Sequence, residues 1–168
     1  MEAFFVSAAV VAVAEIGDKT QLLALMLAAR YRKPVPIILG ILLATLANHA
    51  LAAWVGAEVA AWVGADTMCW ILGTVFIVMA GWCLIPDKAD DGPQAARQAG
   101  AFLATLVAFF IVEIGDKTQI ATIGLAARFE QFYPVVIGTT LGMMLANIPA
   151  HTPEWTNPQP GDPGRTLV

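Results

Sequence analysis

Apolar residues run through this chain in long blocks rather than in narrow amphipathic stripes. Five blocks stand out, at roughly 4–29, 35–56, 67–86, 101–127 and 134–149. A helix needs about 20 mostly apolar residues to cross the hydrocarbon core of a bilayer. The pattern therefore predicts five membrane-spanning helices. The first and fourth blocks carry charged residues near their middles, and the fifth is short and ends at Pro149. Between the third and fourth lies PDKADDGPQAARQAG, the clearest internal boundary. The first block has the length of a signal-peptide core, but its leading residues are only Met1 and acidic Glu2, and the apolar run resumes after the charges. It reads as a retained helix.

Composition strengthens that reading. Of the 168 residues, 58% are hydrophobic and only 13% charged, where a soluble domain carries about a quarter charged residues. A net charge of -4 without any polybasic run leaves no footprint for nucleic acid. Cys69 and Cys83 lack C-x-x-C spacing and read as helix fillers rather than a disulfide or metal pair. Basic residues set an orientation. Arg30, Arg32, Lys33, Lys88 and Arg97 fall on one side, against Arg128 on the other. The rule that lysine and arginine stay cytoplasmic then puts the N-terminus outside. Trp54, Trp62 and Trp70 cluster around the outer loop, as interfacial aromatics do.

The chain repeats itself. EIGDKTQ occupies residues 15–21 and returns at 113–119. At the same offset of 98, Ala28-Ala29-Arg30 matches Ala126-Ala127-Arg128, Pro36 matches Pro134 and Gly40 matches Gly138. With one residue inserted, Asn48 matches Asn147. Three spans separate the copies, so the second enters the membrane upside down, the inverted-repeat plan of secondary transporters. The expected fold class is an all-α integral membrane protein built from inverted three-helix halves. Its divisions are a first repeat at 1–86, a cytoplasmic linker at 87–100, a partial second repeat at 101–149 and a Pro-rich tail at 150–168. A full second half would need a sixth span near 165–184. The five prolines from Pro149 onward predict a disordered tail instead.

Charges within apolar blocks are costly, at roughly 2.5–3.5 kcal/mol each at the bilayer centre. Unpaired, the six in Glu15, Asp18, Lys19, Glu113, Asp116 and Lys117 would cost about 15–20 kcal/mol, against a typical domain stability of about 5–15 kcal/mol. They must be paired, hydrated, protonated or bound. Glu15 with Lys19, and Glu113 with Lys117, have the spacing of helical ion pairs, but such pairing leaves Asp18 and Asp116 unexplained. On a continuous helix, Glu15, Asp18 and Gln21 would share one face, as would Glu113, Asp116 and Gln119. Gly17 and Gly115 would face away from these stripes and could loosen the helix. Four carboxylates against two lysines leave -2, the charge one divalent cation balances. The donors are all oxygens, which suits calcium, magnesium or manganese better than zinc or copper. Asn48, Asn147, Thr20 and Thr118 are supporting candidates. His49 faces only Ile148 at the matching place and is a poor ligand candidate.

Two E-x-G-D-K-T copies, each opening a three-helix half, resemble the GDT family of membrane manganese and calcium transporters. The resemblance covers residues 1 to about 148. It implies a divalent-cation exporter, with Mn2+ ahead of Ca2+, exchanging the ion for protons. The acidic site would be Glu15, Asp18, Glu113 and Asp116. The partners would be the bilayer, the cation and protons, with no permanently bound cofactor and no prediction for the oligomer. Protonation of the same carboxylates would release the ion. The rival class is an intramembrane metal-dependent lipid-pyrophosphate phosphatase. That chemistry wants an asymmetric nucleophile and an arginine clamp, which neither motif holds. A further alternative is a truncated, non-functional transporter, since the last span of the family pattern has no counterpart.

Overall fold

A computed structural model describes residues 1–63, 65–84 and 100–148. The Pro-rich tail, Lys88, Arg97 and all of the central linker except Gly100 lie outside the described residues. Seven helices and no strands occur among those described. They are α1 (Glu2–Ala14), α2 (Lys19–Tyr31), α3 (Pro34–Trp62), α4 (Ala65–Cys83), α5 (Ala101–Glu113), α6 (Lys117–Phe129) and α7 (Phe132–Asn147).

The expected second, third and fifth spans correspond to α3, α4 and α7. The expected first and fourth spans are each two half-helices, and this corrects the picture of a continuous charged stripe. The motif itself is the reason. Gly17 and Gly115 both take φ +78°, a left-handed conformation that costs an L-residue with a Cβ roughly 1–2 kcal/mol. A methyl group at either would meet nothing within 4 Å, so the backbone conformation, not space, demands glycine. Asp18 and Asp116 then stand in extended conformation as the N-caps of α2 and α6. Aspartate is among the preferred N-cap residues. The heptapeptide thus ends one helix and starts the next.

Helix α3 is the spine. It packs broadly on α5 and α6 and also meets α7, while α1 lies along α7. Several crossings are close enough to exclude side chains, and two of them correspond between the repeats. A Cβ at Gly40 would stand 2.9 Å from the Phe102 carbonyl oxygen, and one at Gly138 would stand 2.5 Å from that of Phe4. These are matching contacts, because Phe102 follows Phe4 at the repeat offset of 98. One apolar core joins α2, α3 and α5 through Leu23, Leu27, Ile37, Ile41 and Phe109. A second joins α1, α3, α6 and α7 through Ala3, Ala53, Leu125 and Val135. Helix α4 rests on α6 through Met68, Leu72 and Ala127.

The outside of this bundle is apolar. Trp62, Trp70, Ile77 and Val78 are mostly exposed, and Trp54 is more than half exposed, whereas soluble monomers rarely expose large contiguous apolar patches. The interior, by contrast, holds Glu15, Asp18, Glu113, Asp116, Lys117, Asn48 and Asn147. Residues 34–62 and 66–83 are long and apolar enough to cross a membrane as single helices, while α1, α5 and α7 are shorter apolar helices. A surface apolar on the outside around a polar centre is the arrangement a bilayer selects.

Candidate metal site

The two helix breaks face each other in the middle of the bundle. The capping aspartates, the lysines that follow them and the preceding glutamates converge there from four half-helices. Carboxylate oxygens of Glu15, Asp18 and Asp116 all lie within 4.8 Å of one another, and all three residues are buried. Three carboxylates this close repel strongly in a dry interior unless cations or protons lie among them.

The lysines supply positive charge, and they do so crosswise. Lys19 Nζ lies 3.0 Å from Asp116 Oδ1, and Lys117 Nζ lies 2.7 Å from Asp18 Oδ1. Each motif's lysine therefore sits on the other motif's aspartate. The helix break is the physical reason: α1 ends at Ala14 and α2 begins at Lys19, so Glu15 and Lys19 do not stand at i,i+4 on one continuous helix. The asparagines cross in the same way. Asn147 Nδ2 approaches Glu15 Oε2 at 3.5 Å and also reaches the Met143 carbonyl. Asn48 Nδ2 approaches Glu113 Oε2 at 3.4 Å and donates to the Phe110 carbonyl.

Thr20 is tied to the first motif. Its hydroxyl donates to Glu15 Oε2 and lies 3.3 Å from Asp18 Oδ2, and its backbone N–H donates to the same Asp18 oxygen. Thr118 is equally buried, yet its hydroxyl has no hydrogen-bond partner among the described residues. Glu113 instead accepts from Thr45 Oγ1 at 3.0 Å. It is not in the group of three carboxylates.

The glutamines sit elsewhere. Gln21 Oε1 accepts from the Gly17 N–H at 3.0 Å, and Gln119 Oε1 accepts from the Gly115 N–H at 2.6 Å. This resembles a capping box, in which the third residue of a helix reaches back to a free N–H at its start. Gln21 Nε2 also donates to the Ala146 carbonyl, joining α2 to α7. In this geometry the amide oxygens of both glutamines are engaged by the loop glycines. His49 is fully buried with neither ring nitrogen hydrogen-bonded among the described residues, and it stands outside the group.

Thr45 is the site residue that sequence reasoning missed. It stands one helical turn before Asn48 and so shares its face, which was a usable signal. Its counterpart in the second half, at the inserted register that matches Asn48 with Asn147, is Met144. Repeat comparison therefore hides it.

A buried cluster of hard oxygen donors with two movable ammonium groups can exchange those cations for a metal ion. Comparison with known proteins gives the same direction. No solved structure matches the chain. A protein of Vibrio cholerae serotype O1, named "Putative manganese exporter", is 57% identical over 150 residues, covering 89% of this chain and 74% of that protein. The family model described as "Divalent cation/proton antiporter GDT1" matches residues 3–91 and 101–152. The chain belongs to this GDT1 family of divalent cation/proton antiporters.

Proposed function

We infer that the chain exports a divalent cation from a bacterial cytoplasm across the inner membrane, in exchange for protons, with Mn2+ the main substrate and Ca2+ a weaker one. The observation that carries this reading is the buried group of Glu15, Asp18 and Asp116 at the meeting of the two helix breaks. Membership of a transport family sets the class: the chain is a transporter and not an enzyme. Oxygen-only donors suit Mn2+, Mg2+ and Ca2+, and the name of the Vibrio relative favours manganese.

Lys19 and Lys117 act as tethered stand-ins for the cation. While the site is empty they hold Asp116 and Asp18, and an entering ion displaces them. With Glu113 included, four carboxylates and two lysines leave a formal -2, which one divalent ion neutralises. Protons and the ion compete for the same carboxylate oxygens, which couples export of one to entry of the other. The motif copies belong to inverted halves at 1–86 and 101–149. The broken helices supply the hinge that opens the site to one side and then the other. Asn48 and Asn147 orient the glutamates, and Thr20 holds Glu15 toward the ion. The N-terminus lies outside.

Uptake of Mn2+ into everted vesicles under an imposed pH gradient tests the reading. Wild type is expected to accumulate Mn2+, with Ca2+ a weaker substrate. Asp18→Asn and Asp116→Asn are each expected to lower the rate by roughly 100-fold or more, since each removes a buried charge that the ion needs. Gradient-dependent uptake that survives both substitutions would sink the carboxylate site.

A further inference from the structure

The two glutamates of the repeated motif are held differently, and the difference lies in a residue outside the motif. Glu15 is held by Thr20, the threonine five residues on, and by Asn147. Glu113 has the same threonine five residues on, Thr118, and its loop carries a glycine at the same φ of +78°. Yet Glu113 is turned to α3, where Thr45 and Asn48 both donate to it. Thr118 is buried with an unused hydroxyl among the described residues. An unused buried hydroxyl costs about 1–3 kcal/mol, so the second half contains one more anchor than Glu113 is using.

We propose that Thr45 is a positioning residue that holds Glu113 apart from the group formed by Glu15, Asp18 and Asp116, and that Thr118 is the alternative anchor that brings Glu113 into it. This rests on the cation-transport reading above. In the Thr45-bound arrangement three carboxylates face the ion. Moving Glu113 to Thr118 gives it the placement Glu15 already has and adds a fourth. The site thus has a weak form and a tight form, selected by which hydroxyl Glu113 accepts from. An exporter needs both, because an ion that binds tightly must also leave.

The two threonines make opposite predictions. Thr45→Val keeps the side-chain shape, removes the hydroxyl that holds Glu113 away, and favours the four-carboxylate form. Its Kd for Mn2+, measured by calorimetry on the purified full chain in detergent, is expected to fall about tenfold, the factor for one charge-assisted hydrogen bond. In vesicles its KM and its maximal rate both fall, because release slows. Thr118→Val removes the alternative anchor, and its Kd and KM rise by a similar factor. Thr45→Ser restores the hydroxyl and is expected to match wild type.

A merely structural role for Thr45 would lower the amount of folded protein and so the maximal rate, leaving Kd and KM unchanged. Wild-type Kd in folded Thr45→Val, or shifts of the same sign in both valine variants, overturns the proposal while leaving the transport reading intact. Failure of Thr45→Ser to restore wild-type values also overturns it. A wild-type chain that binds no Mn2+ overturns the transport reading, and the proposal with it.

Discussion

Two copies of one heptapeptide occupy the centre of this molecule, and they have the same backbone and different surroundings. Both glycines stand at φ +78°, and both aspartates are extended N-caps. The lysines and threonines nevertheless differ in their surroundings. The Lys19 side chain is 26% exposed and that of Lys117 only 4%. Thr20 is bonded to the acids of its own motif, and Thr118 has no hydrogen-bond partner among the described residues. The cause lies in the neighbours. Helix α6 is covered by α3 and α4, with Gly124 beneath Leu72 and Phe76. At the matching place on α2 stands Met26, 37% exposed. Local sequence therefore dictates the break in the helix, while tertiary packing decides how dry each lysine is and where each acid turns.

The largest expected effect sets the two lysines against each other. Lys117→Met leaves Asp18 charged in a dry interior, and breaking a buried pair by removing one partner costs about 3–5 kcal/mol. Lys19→Met also strands a buried aspartate, Asp116, but the departing side chain was partly in contact with solvent, so water can follow it in. That substitution is expected to cost about 1–2 kcal/mol, less than its twin. Thermal unfolding in detergent, with each variant beside wild type, ranks them. The reverse order would mean that the Thr20 hydroxyl and N–H are enough to support Asp18 alone, and that Asp116, without such bonds, depends more on its lysine.

Next comes a pair for which the comparison predicts equality. Gly17→Ala and Gly115→Ala each force a Cβ into the left-handed region, at roughly 1–2 kcal/mol. Neither methyl meets a neighbour, so packing adds nothing on either side. Equal losses of thermal stability are expected. A loss at one position more than about twice that at the other would show that the two breaks are not equivalent even as backbone, which would sharpen the asymmetry at its root.

That contrast also marks what was legible in the chain. Hydropathy located α4 and α7 within a few residues and α3 in all but its last turn and a half, because uninterrupted apolar runs have one reading. It joined α1 to α2 and α5 to α6, because a window averaged across apolar flanks cannot see a break of three or four residues. The information was present in letters of another kind: glycine, then an aspartate cap, then a glutamine three residues later to close the box. The carboxylates of Glu15, Asp18 and Asp116 were legible from the cost of burying them. The crossed pairs, Lys19 with Asp116 and Lys117 with Asp18, were not, since they depend on how two distant segments meet. Thr45 was hidden for a further reason. The repeat that made the motif conspicuous has methionine at the matching position, so the comparison that found the site also discarded one of its members.

The weakest interactions compared are the clamps on the two loops. Gln21 and Gln119 both accept from a motif glycine, at 3.0 and 2.6 Å. Both bonds are exposed, where water replaces a lost partner, so each is worth about 0.5–1.5 kcal/mol. Gln21 carries one more bond, from Nε2 to the Ala146 carbonyl near the end of α7. Gln21→Ala is therefore expected to lose about 1 kcal/mol more than Gln119→Ala. Because the extra bond ties α2 to α7, that loss should appear as faster amide hydrogen exchange at both helix ends in Gln21→Ala. In Gln119→Ala the change should stay within the 113–119 loop. Equal exchange in the two variants would mean that the bond from Gln21 Nε2 to the Ala146 carbonyl contributes nothing measurable to holding α2 against α7.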